Sequence, residues 1–320
     1  MGCAACVAHA LTRPVKKGAD TQKKLRAARV LVTGTLGGAA AELCKNLVLA
    51  GVNLTVRDDG AVDEECVVTN VFLRPDDVGK PRAECMLPRM LEMNPLASSA
   101  YAKASDRLAL REFSLVVSSG LGPGALDALD GECVREGVPH IYFESSGMYG
   151  FALLNLGASY RFKEQNENYC TLPQLFAASW KTFPKPTKAD GRQNNRRFPA
   201  LFFAMCLARA LEQQRSRSTS GEPKRQKADV DASAEDVLKR LQREHELPFE
   251  VDAAVVLPMA HVLARQKSFA PTCAILGGLL GNEVVRVLGR TEAPANNVLL
   301  FDASLGEAMI RRVAPGPVAQ

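Results

Sequence analysis

From Arg29 onward the chain alternates short apolar runs with segments of helical period, and this pattern constrains the fold to parallel strands joined by helical crossovers. Arg29-Val-Leu-Val-Thr33 predicts the first strand, a glycine-rich turn follows, and a helix runs through Leu43 and Leu47 toward Ala50. Asn53 to Arg57 predicts the second strand, ending in Asp58 and Asp59. A helix over 80–93, stopped by Asn94-Pro95, is followed by strands near 100–104 and 114–118, a helix over 126–136 and a strand over 139–143. The expected fold is α/β: a doubly wound, mostly parallel Rossmann-like sheet flanked by helices. Helices from Pro199 and Ala234, a long one from Ser268 to Gly289, and a closing strand pair at 297–302 and 308–313 complete it.

With 320 residues, 47% of them apolar, the chain can bury a large core. Four regions are predicted: a divergent segment 1–20, a Rossmann-like half 21–160, an irregular helical insertion 161–235 and a C-terminal part 236–320 that completes the same fold. Within the insertion, the polar stretch 213–229 predicts a mobile loop. A net charge of +5 with dispersed Lys and Arg does not argue for nucleic acid. No apolar run reaches the length of about 20 residues expected of a bilayer span, and no secretory signal stands at the N-terminus. Nine cysteines, mostly in apolar surroundings (Cys44, Cys85, Cys133, Cys206, Cys273), predict reduced thiols and an intracellular protein. Only Cys3 and Cys6 are closely paired, and no second pair completes a zinc site. Met-Gly-Cys-Ala-Ala-Cys also makes Gly2, Cys3 and Cys6 candidates for acylation, and a membrane is expected as a partner only if they are acylated.

Gly34, Gly37 and Gly38 stand where a strand hands over to a helix, a place where backbone N–H groups can hold phosphate. Asp58 follows at the distance of a ribose-binding carboxylate. Ala40 replaces a third glycine, and a tight turn without ligand fits the same residues.

The stretch from Arg29 to Gly34, then Ala41 to Val52 and Leu54 to Asp58, resembles the first βαβ unit of the ubiquitin-activating, ThiF-like family. Val78-Gly-Lys-Pro-Arg-Ala-Glu84, Gly147 to Gly157, Ser268 to Leu288 and Asn296 to Asp302 extend the resemblance over most of the chain. Within the family these stretches are most similar to the small subunits that serve the modifier SUMO. The resemblance implies a heterodimer in which a cysteine-bearing partner holds ATP and Mg²⁺, adenylates SUMO and takes it as a thioester. It also implies that this chain is the regulatory, non-catalytic half. At the position of an active-site Arg stands Asn70; a phosphate-contacting Lys is replaced by Arg82; and Leu121 lies where Mg²⁺ would be bound by Asp. Asp127 and Asp130 are expected to be solvated helix charges, and Cys170 and Cys206 lack a thioester domain. An N-terminal Arg of the small subunit reaches the partner's ATP in this family; Arg13 is the candidate here, with Lys16 or Lys17 as substitutes. Lys224-Arg-Gln-Lys227 resembles a nuclear-import signal, which places the protein in the nucleus with the cytoplasm as alternative; a solvated charge run fits equally. Two other functions stay open at this level: service to another ubiquitin-like modifier, and NAD-dependent oxidoreduction. For the second, His140, His245 and His261 offer no positioned catalytic group.

Overall fold

The computed structural model describes residues 19–103, 105–158, 160–162, 165–166, 169–183, 199–217, 227–265 and 267–314. Gly2, Cys3, Cys6, Arg13, Lys16, Lys17 and 224–226 of the basic run lie outside them.

Strands β1 (Arg29–Gly34), β2 (Asn53–Arg57), β3 (Ser99–Ala102), β4 (Leu115–Ser119) and β5 (His140–Ser146) pair in parallel in the order 3-2-1-4-5. Beyond β5 the sheet continues antiparallel through β6 (Tyr149–Asn155), β9 (Val298–Asp302) and β10 (Glu307–Arg311). The eight-stranded sheet is thus mostly parallel, and the closing pair is its antiparallel edge. A separate small ribbon joins β7 (Arg161–Phe162) to β8 (Gln165–Asn166). Sequence patterning does not reveal β6: the run from Phe151 to Leu154 is continuously apolar because both faces of that strand are covered, and so shows no alternation.

The helices are α1 (Ala19–Ala27), α2 (Gly38–Leu49), α3 (Glu64–Thr69), α4 (Arg82–Met93), α5 (Pro123–Glu136), α6 (Leu172–Phe176), α7 (Ala200–Arg217), α8 (Lys227–Glu244), α9 (Ala253–Arg265) and α10 (Ala270–Gly289). One apolar cluster lies between the sheet and α2, α4 and α10. On the other face, β5, β6 and β9 pack against α6 to α9 around Trp180, Phe202 and Phe203. The polar stretch 213–229 is helical at both described ends, since α7 runs to Arg217 and α8 starts at Lys227. Glu, Gln, Arg, Lys and Ala favour helix enough to extend both elements past the apolar residues that anchor them.

By length and hydropathy α10 could cross a bilayer: it has 20 residues and a mean hydropathy of 1.3, more than the sequence pattern suggests. It is instead a core helix, packed so closely on α2 that glycine is required at the contact. A Cβ on Gly277 would lie 2.5 Å from Glu42 Cβ and 3.0 Å from Leu43 N, and the backbone cannot give way. Gly277→Ala is therefore expected to destabilise the chain by about 1–3 kcal/mol, the usual cost of overpacking, read as a lowered thermal midpoint.

Candidate functional site: the crevice between β1 and β4 and a neighbouring cavity

In a doubly wound sheet the ligand crevice opens where the strand order reverses, between the carboxyl ends of β1 and β4. In this chain those ends are stitched together. The Thr35 N–H donates to Ser119 O at 2.8 Å, and the Ser119 hydroxyl donates to Thr35 O at 2.7 Å. Gly34, at φ +92°, is what allows this approach, since a Cβ there would lie 2.0 Å from Ser119 O. Gly37 caps α2 without a side-chain bond and Gly38 opens the helix, 2.8 Å (for a Cβ) from Thr69 O and 2.9 Å from Cys273 Sγ.

Two backbone donors beside the turn are occupied by the Asp58 carboxylate. Asp58 Oδ2 accepts the Leu36 N–H at 2.7 Å, and Oδ1 accepts the Gly60 N–H at 2.7 Å. The Arg82 guanidinium then pairs with Asp58 Oδ2 at 2.6 Å, with both side chains buried, and donates to Ala61 O at 3.1 Å. Asn70 is also buried: its amide donates to Leu36 O at 3.0 Å and its carbonyl accepts the Phe72 N–H, so it props the turn from beneath. On the other side of the turn, the Gly120 N–H donates to Glu144 Oε1 at 2.6 Å. What remains is a space of about 60 Å³ between Thr35, Gly37, Gly120, Ser145 and Ser268. That is well below the about 300 Å³ at which small-molecule sites begin. The turn forms a tight βα connection between β1 and α2.

Glu144 also lines a second cavity of about 310 Å³ bounded by β5, β6, α7 and the start of α5. Tyr142 donates its O–H to Glu144 Oε1 at 2.6 Å. The two side chains lie on one face of β5, and Leu121 contributes its carbonyl at 3.3 Å from the Tyr142 hydroxyl. From α7 come Arg209, whose guanidinium pairs with Asp127 at 2.6 Å and lies over the Phe176 ring, and Glu212. Burial pushes the Glu144 carboxyl up to about 7, against the opposing hydrogen bonds from Tyr142 and Gly120. The raised value means that unfolded Glu144 ionises first as pH rises from about 4.5, so stability falls toward pH 7 and is then level. The loss amounts to about 3 kcal/mol at 1.36 kcal/mol per unit. Glu144→Gln keeps an acceptor and is expected to remove this slope, so thermal midpoints of variant and parent should diverge between pH 5 and 7.5.

Asp130 is not a solvated charge. It is fully buried at the centre of a hydrogen-bond hub, where Oδ1 meets His140 Nδ1 and the Asn155 amide, each at 2.9 Å, and Oδ2 accepts the Leu172 N–H at 3.0 Å. His140 Nε2 lies 2.8 Å from Ser118 Oγ. This Ser-His-Asp geometry resembles a hydrolase triad, but all three side chains are sealed from solvent, so it ties β4, β5, β6, α5 and α6 together and reaches no substrate. Asp127, its neighbour, is half-exposed and salt-bridged to Arg209. His245 stacks on Trp180 at 4.1 Å within the second core.

Among the described residues no cysteine is an activated thiolate. Burial pushes Cys44, Cys133 and Cys206 up to about 12 and raises Cys170 and Cys273, while Cys66 and Cys85 are also raised by desolvation. No group of three metal-ligating side chains lies together among the described residues.

The ThiF family profile matches residues 9–317. The chain belongs to the ThiF family. As a family member it is similar to SUMO-activating enzyme subunit 1 of Rattus norvegicus, 25% identical over 336 residues, with 93% of this chain and 91% of that protein covered. It is similar too to SUMO-activating enzyme subunit 1B-1 of Arabidopsis thaliana, 26% identical over 307 residues with 92% and 91% covered. Subunit 1 of Homo sapiens gives 26% over 324 residues, with 93% and 92% covered. Among solved structures, the microcin C7 biosynthetic enzyme MccB in complex with N-formylated MccA superposes with a TM-score of 0.54. At 15% identity over 93% of this chain and 68% of that one, it shows that the ThiF-family fold is shared. The sheet order and the antiparallel edge described above are the architecture of this family member.

Proposed function

We propose that this chain is the small, non-catalytic subunit of a heterodimeric, ATP-dependent SUMO-activating enzyme. The observation that supports the reading is the narrow crevice: the family fold is present, Asp58 and Arg82 pair with each other beside the turn, and about 60 Å³ is left between Thr35, Gly37 and Gly120. The names of the similar proteins support SUMO over other ubiquitin-like modifiers. On this reading a cysteine-bearing partner subunit holds ATP and Mg²⁺, adenylates the SUMO C-terminus and takes it onto its own thiol. The chain completes that subunit's structure and contributes Arg13 to the partner's site. The complex works in the nucleus, with the cytoplasm as second location, and Gly2, Cys3 and Cys6 are the positions at which acylation would move it to a membrane.

The test is to purify the tagged chain from its own cells and to assay ATP-dependent, thiol-sensitive attachment of SUMO, then to repeat the assay with the recombinant chain alone. Activity confined to the co-purified complex supports the proposal. A lone chain that forms the thioester overturns it.

A further inference from the structure

We infer that the face at the amino ends of the parallel strands docks on an anionic lipid surface, through the cations of α1 and the aliphatic side chains at the ends of α2 and α4. The inference stands independently of the SUMO reading, and it concerns the chain without any lipid attached.

The charge of this face begins in the sequence. Lys and Arg are dispersed along the chain, but acids are nearly missing from 16–29, where Lys16, Lys17, Lys23, Lys24, Arg26 and Arg29 stand against Asp20 alone. That stretch carries a net charge of +5, which is the net charge of the whole chain. Helix α1 turns Thr21 and Leu25 into the protein and leaves Lys23, Lys24 and Arg26 exposed. Gln22 donates to Ala50 O at 3.0 Å, the Asn53 amide to Arg26 O at 2.7 Å and Lys24 to Gly289 O at 2.9 Å, so α1 lies across the ends of α2 and α10 and the start of β2. Arg290, next to Gly289, adds a further exposed cation. Lys23 and Arg26 pair with no acid among the described residues; Glu112 is bound to Arg29, and Asp20 and Glu92 are exposed nearby.

Apolar surface flanks these cations. The Asn94 amide, at the end of α4, donates to Val48 O at 2.8 Å and so holds Met93 and Leu96 against the end of α2. Leu96 is 89% exposed and Leu49 58%. Both are aliphatic, so they suit the boundary of acyl chains and headgroups but give nucleic-acid bases nothing to stack on. Each cation near an anionic bilayer strengthens binding about fivefold. Cys3 and Cys6, ahead of α1, are candidate acyl positions, and one acyl chain anchors only marginally unless a basic patch assists it.

The test is flotation of the full recombinant chain, alone and as the co-purified complex, with vesicles of phosphatidylcholine and with vesicles containing about one third phosphatidylserine. The chain and the complex are expected to float with the anionic vesicles only, and to be released at about 1 M salt, where the Debye length is about 3 Å. Lys23→Gln combined with Arg26→Gln should weaken binding about 25-fold, and Leu96→Ser severalfold, with circular dichroism confirming that both variants are folded. Equal binding to both kinds of vesicle, or binding to neither, overturns the proposal. So does a double variant that floats as the parent does, a complex that fails to float where the free chain does, or tighter binding to a single-stranded RNA than to the anionic vesicles at the same salt.

Discussion

Asp130→Ala is expected to lower the thermal midpoint by about 7 °C, the largest effect of any single substitution at these sites. The change removes the acceptor of three buried donors, His140 Nδ1, the Asn155 amide and the Leu172 N–H, none of which can reach water. Each orphaned donor costs roughly 1–3 kcal/mol, and about 5 kcal/mol in total is a large part of the stability of a typical domain. With an unfolding entropy of about 2 cal/mol/K per residue over 320 residues, 5 kcal/mol corresponds to about 7 °C. Asp130→Asn keeps one carbonyl oxygen for His140 and Asn155 but turns an amide toward the Leu172 N–H, and should lose about half as much. Scanning calorimetry of the two variants provides the check; an alanine variant within 2 °C of the parent would show that the hub holds nothing together.

The second large effect is expected at Arg82. Arg82→Ala leaves the Asp58 carboxylate buried with two backbone N–H donors and no counter-charge, and breaking one half of a buried pair costs about 3–5 kcal/mol. Replacing both partners is expected to cost much less than the sum of the single changes, so Asp58→Asn combined with Arg82→Met should recover most of the loss. Denaturation of the parent, both single variants and the double variant measures the coupling directly. Additive losses would mean that the pair does not stabilise the turn.

The parallel half of the fold is legible in the sequence because its signals are local. Arg29 to Thr33, the glycines at 34, 37 and 38, and Asn53 to Arg57 each carry their own periodicity or turn chemistry, and the structure places β1, α2 and β2 there. The bounds differ by a few residues where end effects decide, as at α5, which begins at Pro123 because proline suits a first helical turn. The burial of Asp130 is hidden for the opposite reason, since what decides it is remote. Spaced three residues from Asp127 on one helix, it has the pattern of a solvent face, and nothing near it in sequence shows that His140, Asn155 and Leu172 deliver donors to it. Gly34, Asp58 and Arg82 do belong together, as their motifs imply. Their chemistry is not legible, because whether Asp58 faces a ribose or Arg82 depends on a side-chain pairing 24 residues apart. The neighbouring cavity leaves no trace that sequence reasoning caught. Tyr142 and Glu144 share a strand face, which is a visible signal, but Arg209 and Glu212 come from α7, more than 60 residues later in the chain.

On the proposed reading the crevice between β1 and β4 takes no nucleotide, and any ATP used by the assembly is held elsewhere. The most direct measurement is the stoichiometry of Mg²⁺-ATP binding, by equilibrium dialysis of the isolated chain and of its co-purified complex. No saturable binding by the chain and one nucleotide per complex is the expected result. A chain that takes up one ATP by itself, or a complex that takes up two, would contradict it.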